Sequence, residues 1–258
     1  MTYSNKPLVS IIIITKNQKH FLEKSLPMIF NQTLRDFEVI MVDNGSKDGA
    51  LELMGKFPVK VIHLKKFGYA LAHNTGIRAS SGRYLVRLSG DVTPVNEHWL
   101  ANLIKNFDDS SVAGVYSRWV LPEKVNLLEK TMMPIYWKLL GSKRRIHSRF
   151  HILAGQSAVV RRDLWERYPY NESVPICEDY DWARHFQGLG YKIVYEPESL
   201  VYHGHDEPIK KGLKRYYDET KAVGWDIHLK DTFLKLKERT KKVKEIIFEN
   251  LNENPLVR

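Results

Sequence analysis

The sequence predicts an α/β fold of the doubly wound kind, a Rossmann-like, mostly parallel sheet flanked by helices. Three observations carry that expectation. The run "LVSIIII" at 8–14 is continuous and β-branched, as in a strand buried on both faces. Similar runs alternate with stretches of helical spacing through the first hundred residues, the pattern of right-handed βαβ crossovers. Each run ends in polar residues, and open α/β sheets bind ligands beyond the carboxyl ends of their strands.

The elements follow in order. After the first strand, Phe21, Leu22, Leu26, Ile29 and Phe30 recur at helical spacing. "FEVIMV" (37–42) reads as a second buried strand running into the turn-rich "DNGSKDG". "VKVIHL" (59–64) is a third strand, "YALAHNTGIRAS" a helix, and "RYLVRL" (83–88) a fourth strand. The strand ends are Thr15, Lys16 and Asn17; Asp43, Asn44 and Gly45; and Ser89, Gly90 and Asp91. The second half is less regular. Residues 128–150 mix Met and aromatics with Lys143, Arg144, Arg145 and Arg149. A helix is expected from about 178 to 188, a stop at Gly190, strands at 191–195 and 199–203, and a basic helical C-terminal extension from 208 onward. Between 210 and 244 twelve Lys/Arg stand against five Asp/Glu.

The 258 residues are enough to bury a sizeable core. The single cysteine, Cys177, leaves no intrachain disulfide and no cysteine-rich metal site, which fits a reducing compartment. The start lacks the pattern of a secretory signal, and no stretch approaches the roughly 18 apolar residues of a spanning helix. The expected location is the cytoplasm, with peripheral contact at the inner membrane face as the alternative. The net charge of +10 favours a polyanionic partner: nucleic acid, acidic lipid or a phosphorylated substrate.

Motifs narrow the function. No G-x-G-x-x-G follows the first strand, and no G-x-x-x-x-G-K-[ST] occurs, so neither a dinucleotide fingerprint nor a P-loop is present. A nucleic-acid binder would interleave basic and stacking aromatic residues on one face. Here the strand ends carry acids, which repel phosphates unless a cation intervenes, so no nucleic-acid partner is expected.

"VSIIIITKNQ", "FEVIMVDNGSKDG", "FGYALAHNTGIRASSGRYLVRLSGD" and "CEDYDWARHFQGLGYKI" occur in this order between residues 7 and 205. In order and spacing they resemble the signature blocks of inverting family 2 glycosyltransferases with the GT-A fold. "LSGDVTPVNEHWL" and "EDYDWARHFQGLGYKIVYEPESLVYHGHD" are similar to the rhamnosyltransferase-like branch.

The resemblance implies a glycosyltransferase domain over 1–207. Its nucleotide-binding half covers about 1–95 and its acceptor and catalytic half about 96–207, with the extension 208–258 appended. It implies transfer from a nucleoside-diphosphate sugar, dTDP-rhamnose or a UDP-sugar, to a hydroxyl of a glycan or lipid-linked acceptor. Thr15, Asn17, Asp43, Asn44, Gly68, Asn74, Ser89, Gly90 and Asp91 would hold the donor. Asp43 suits a base edge presenting an N–H, because an ionised carboxylate only accepts.

Relatives commonly place two aspartates at the fourth strand end. This chain has Ser89 first and only Asp91 second, so His203 is implied as a further ligand to a divalent cation, with His205 as its competitor. The imidazole tilts the choice from Mg²⁺ toward Mn²⁺. Asp179, at a helix N-terminus where the macrodipole favours negative charge, would be the general base, with Glu178 and Asp181 competing for the role. Trp182 reads mainly as packing, with the acceptor site as its functional alternative. Loss of the first aspartate keeps a non-catalytic nucleotide-sugar binder open as a rival.

Overall fold

The computed structural model describes residues 6–148 and 153–223. The apolar runs form strands where the pattern predicts them. β1 (Val9–Thr15) is buried along its whole length. Then follow α1 (Lys19–Phe30), β2 (Phe37–Asp43), α2 (Ala50–Met54), β3 (Val59–His63), α3 (Tyr69–Arg78) and β4 (Tyr84–Ser89). The four strands are hydrogen-bonded in the order β3-β2-β1-β4, all parallel. In this register Thr15 lies opposite Asp43, and Ile14 opposite Ser89. Three polar strand ends are therefore brought level at one rim.

The second half of the chain extends the same sheet with mixed pairing. It contributes β5 (Thr93–Pro94), α4 (Trp99–Ile104), β6 (Val112–Val120), α5 (Leu127–Leu140), β7 (Arg145–His147), β8 (Ser157–Arg161), α6 (Arg162–Arg167), α7 (Glu178–Gly188), β9 (Lys192–Tyr202) and α8 (Ile209–Val223). β8 inserts antiparallel between β4 and β6, β9 runs parallel to β6, and β5 and β7 pair antiparallel with β9.

One expectation is corrected here. The two strands foreseen at 191–195 and 199–203 are a single strand, β9. Its register against β6 jumps from Ser117↔Glu196 to Arg118↔Leu200, so the intervening residues bulge. Pro197, which lacks an N–H for the ladder, sits in that bulge and gave the sequence its turn-like look.

The core packs α1 and α4 against one face of the sheet, with Leu22, Leu26, Ile29, Trp99, Leu100 and Leu103 set on Ile11, Ile13, Met41 and Val86. Beneath it Trp99 Nε1 donates to Ser157 Oγ at 3.0 Å, and Ser117 Oγ bonds both Ser157 Oγ (2.7 Å) and Ser199 Oγ (2.9 Å). The hydroxyls satisfy one another, so the buried polar atoms are not left bare.

The chain divides into two compact units. Met1–Pro122 with Lys143–Gly204 carries the whole sheet; Glu123–Ser142 with His205–Arg258 makes the other. The second unit thus draws a stretch from within the expected 1–207 domain. In it, the Asn126 side chain accepts from Glu129 N (2.9 Å) at the start of α5 and donates to Glu207 O (3.0 Å). Arg215 of α8 reaches both Glu129 (2.9 Å) and Glu207 (3.0 Å). Among the described residues no helix is long and apolar enough to cross a membrane. The part of the basic extension beyond 223 lies outside the described residues.

Candidate active site

The rim of the parallel strands is built from interlocked loops. Asn17 adopts a left-handed φ of 53°, a conformation asparagine tolerates better than most residues. Its N–H donates to Ser46 Oγ (2.9 Å) and its side-chain oxygen accepts from Lys47 N (2.8 Å), while Asn44 N donates to Thr15 O (3.0 Å). The fully buried Asp43 carboxylate accepts from Gly45 N (2.9 Å) and Ser46 N (3.2 Å), and His63 Nδ1 lies 3.6 Å away. This is an Asx-type turn, and a carboxylate with about four lone-pair sites keeps acceptor capacity beyond it. Thr15 Oγ1 is buried with no hydrogen-bond partner among the described residues, an orphan that calls for a ligand or water. A Cβ on Gly90 would sit 2.3 Å from Gln18 Oε1 and 2.9 Å from Thr15 Oγ1, so only glycine lets the ends of β4 and β1 approach this closely.

Two sequence candidates lie elsewhere. Asn74 is buried in α3 and its amide is committed to protein. It donates to Tyr170 O (2.8 Å) and Glu172 Oε1 (2.9 Å) and accepts from Trp165 Nε1 (3.0 Å). It ties α3 to residues 165–172 rather than facing the rim. Trp182 has no exposed surface and its ring lies 4.5 Å from that of Phe186 at a tilt of 48°, so it packs the core. Gly68 caps α3, its carbonyl accepting from Ala72 N at 2.8 Å.

Asp91 and His203 meet because of strand pairing. β5 and β9 pair antiparallel with Thr93↔Tyr202 and Pro94↔Val201, which sets the residues just before β5 beside those just after β9. Asp91 Oδ1 and His203 Nδ1 are 3.8 Å apart, with side chains only 14% and 7% exposed. Ser89 precedes the pair, and His205 is the first residue of the other unit.

A second charged centre sits where β4 meets α7. Arg87 is the one charged residue inside β4 and is nearly fully buried. It makes a short charge-assisted hydrogen bond to the buried Glu178. Its Nη1 lies 4.0 Å from Asp179 Oδ2, and its guanidinium stands 4.5 Å over the ring of Tyr170. Burial works against the guanidinium charge, but Glu178, Tyr170 and Asp179 outweigh it and hold the pKa above the ordinary arginine value. His73 packs edge-on to Tyr170, and burial followed by the Arg87 charge drives its pKa well below the usual histidine range, so it is neutral at pH 7.

Asp179 differs from its neighbour. Its side chain is 16% exposed, and its two oxygens accept from Gly155 N (2.8 Å) and Tyr180 N (2.9 Å). Cys177, immediately before α7, takes a left-handed φ of 64°, a strained conformation of the sort found where backbone shape serves a site. A Cβ on Gly155 would lie 2.3 Å from Asp179 Oδ2 and 2.9 Å from Arg87 Cζ. The sequence reading gave Gly155 and Tyr170 no role. The sequence marks this centre by the acids Glu178 and Asp179 and by an arginine inside the apolar run "YLVRL".

A parallel rim of polar strand ends, a mixed extension and an acidic α7 N-terminus define the GT-A glycosyltransferase fold. The model of Glycosyl transferase family 2 matches residues 10–168, more than half of the chain, and the chain belongs to that family. Glycosyltransferase AglE of Haloferax volcanii is 27% identical over 213 residues, covering 78% of this chain and 68% of that protein. The O-antigen chain rhamnosyltransferase RfbN of Salmonella typhimurium is 24% identical over 224 residues, 81% of this chain and 70% of that one. The mannosyltransferase PcManGT from Pyrobaculum calidifontis, solved with GDP-Man and Mn²⁺, superposes with a TM-score of 0.63 at 23% identity. It covers 83% of this chain and 60% of its own. The chain thus spans roughly two thirds of the length of these relatives.

Proposed function

We propose that the chain is an inverting glycosyltransferase that takes a sugar from a nucleoside-diphosphate donor, dTDP-rhamnose or a UDP-sugar, to a glycan or lipid-linked hydroxyl. The single observation that carries this reading is the division of labour at the head of α7. Glu178 is buried and neutralised by Arg87, whereas Asp179 is oriented by two N–H groups and remains partly open. In the transfer the acceptor oxygen attacks the anomeric carbon, the bond from that carbon to the diphosphate breaks, and the hydroxyl proton passes to Asp179. Asp43 accepts the base N–H, and Thr15, Asn17, Asn44, Ser89 and Gly90 frame the nucleotide. Gly68 holds its place in the loop leading to α3.

Two donors 3.8 Å apart are within the span of one cation with bonds of about 2.1 Å, so Asp91 and His203 fit an Mn²⁺ or Mg²⁺ ion. When bound, it supplies positive charge against the donor diphosphate. One carboxylate and one imidazole leave most coordination positions to substrate oxygens and water, so cation and diphosphate are expected to bind together.

The test is a thermal-shift panel of dTDP-rhamnose, UDP-galactose, UDP-GlcNAc and GDP-mannose, each with and without Mn²⁺. A true donor at 100 times its dissociation constant adds about 2.7 kcal/mol, roughly 5–10 °C for a chain of this size. No shift with any of them would refute the reading. D91N and H203A should each remove most of the Mn²⁺-dependent part of the shift. Transfer by the wild type should stop on treatment with EDTA and return with added Mn²⁺; transfer indifferent to EDTA would exclude the cation.

Peripheral membrane contact is supported by α8. Ile209, Leu213 and Tyr217 are 48%, 53% and 64% exposed and stand four residues apart, forming one apolar stripe. The exposed Lys210, Lys214 and Lys221 run along one side of it. An anionic interface would take the stripe into its acyl boundary and the lysines at its headgroups, each lysine adding about 1 kcal/mol. Co-sedimentation with phosphatidylglycerol vesicles should fall at least about fivefold in L213E/Y217E and weaken with salt. Equal binding by both proteins, or none by the wild type, would discard this contact.

A further inference from the structure

Arg87 and Asp91 stand four residues apart on one strand and its immediate exit, yet they face different tasks. Asp91 belongs to the donor side of the site; Arg87 reaches toward α7, ninety-one residues further along, where Glu178 and Asp179 begin the helix. We infer that Arg87 is the positioning residue of Asp179: by capturing Glu178 it pins the first turn of α7 to β4 and so fixes Asp179 against the donor strand. The inference deepens the reading in which Asp179 takes the acceptor proton, and it rests on that reading for its kinetic consequence.

Four observations converge on it. Arg87 and Glu178 are 5% and 3% exposed, so the pair is shielded from water and its geometry is not averaged by solvent. Arg87 Nη1 lies 4.0 Å from Asp179 Oδ2, beyond hydrogen-bond range. It therefore bonds the neighbour and leaves the base unclamped. Gly155, two residues before β8, completes the holder: its N–H donates to the same Asp179 oxygen at 2.8 Å, and β8 is paired to β4 with Arg87 opposite Ala158. Finally, the Tyr170 ring 4.5 Å from the guanidinium closes its remaining face. Arg87 touches no reacting atom in this account; it acts through Glu178.

A purely structural pair predicts something else. Replacing both members of a buried ion pair by apolar residues of similar volume is often neutral for stability. R87M/E178M therefore separates folding from positioning. The wild type, R87M/E178M, R87K and D179N are compared by three readouts: melting temperature, release of nucleoside diphosphate from the donor panel, and hydrogen exchange of the Gly155 amide.

The expected result is a folded R87M/E178M with a near-wild-type melting temperature. Its kcat should be lower by about 10²-fold with donor KM within about threefold, because misplacement of a base costs turnover rather than donor binding. Its Gly155 amide should exchange at least about tenfold faster, since the acceptor at Asp179 has moved. R87K, which keeps the charge and loses the fork, should fall between.

Wild-type kcat and unchanged Gly155 protection in R87M/E178M overturn the inference. Should that variant fail to fold, R87K decides: wild-type kcat and Gly155 exchange in R87K overturn it, and an intermediate loss of both supports it. The two claims stay separable. A fully active D179N removes the base assignment, while the Gly155 readout still reports whether Arg87 holds Asp179 in place.

Discussion

Asp179→Asn is expected to abolish sugar transfer while leaving donor binding close to wild type. Asparagine is nearly isosteric and can still accept the N–H of Gly155 through its amide oxygen, so the first turn of α7 should survive. What it lacks is an oxygen able to take the acceptor proton. A single general base is worth roughly 10²–10⁴ in rate, and that is the loss expected in kcat. The donor dissociation constant, measured by calorimetry, should stay within about threefold, because an interaction made only in the transition state lowers kcat without touching binding. Wild-type turnover by this variant would move the base to Glu178 or Asp181. The structure makes both poorer candidates: Glu178 is sealed against Arg87, and Asp181 accepts from Tyr168 OH at 3.1 Å.

Arg87→Met alone carries the largest expected effect on stability. It leaves the Glu178 carboxylate buried without its cation, and breaking a buried pair from one side costs about 3–5 kcal/mol. Charge release from His73 and Tyr170 does not compensate. His73 is already neutral, and burial pushes the Tyr170 phenol above its ordinary range despite the pull of Arg87. A loss of that size should lower the melting temperature by about 6–20 °C. Lowering the pH should restore part of it, since protonating Glu178 removes the uncompensated charge. A melting temperature within a degree or two of wild type would show that the pair contributes nothing net to folding.

The parallel block was legible because burial on both faces writes itself as near-continuous apolar runs. "LVSIIII", "FEVIMV" and "RYLVRL" could hardly be anything else, and their polar ends fall on one rim by register. The second half was harder. β6 and β8 are held by antiparallel and crossover pairings whose partners lie far apart in sequence, and the bulge at Pro197 imitates a turn. Among site residues, Asp91 and Asp179 were visible as acids at element ends. Trp182 and Asn74 were not decidable, since whether an aromatic or an amide faces a cleft or a core depends on neighbours such as Phe186 and Trp165. Gly155 was invisible for a different reason. Its value lies in a Cβ it lacks, and only the position of Asp179 reveals why.

Calorimetric titration of UDP, dTDP and GDP with Mn²⁺ into the wild type, D91N and D179N tests most directly whether donor holding and proton removal are separate tasks of one site. For the nucleotide that the wild type selects, D91N should weaken binding by roughly 30-fold or more, and D179N should stay within about threefold of wild type. Equal weakening in both variants, or no weakening in D91N, would contradict that separation.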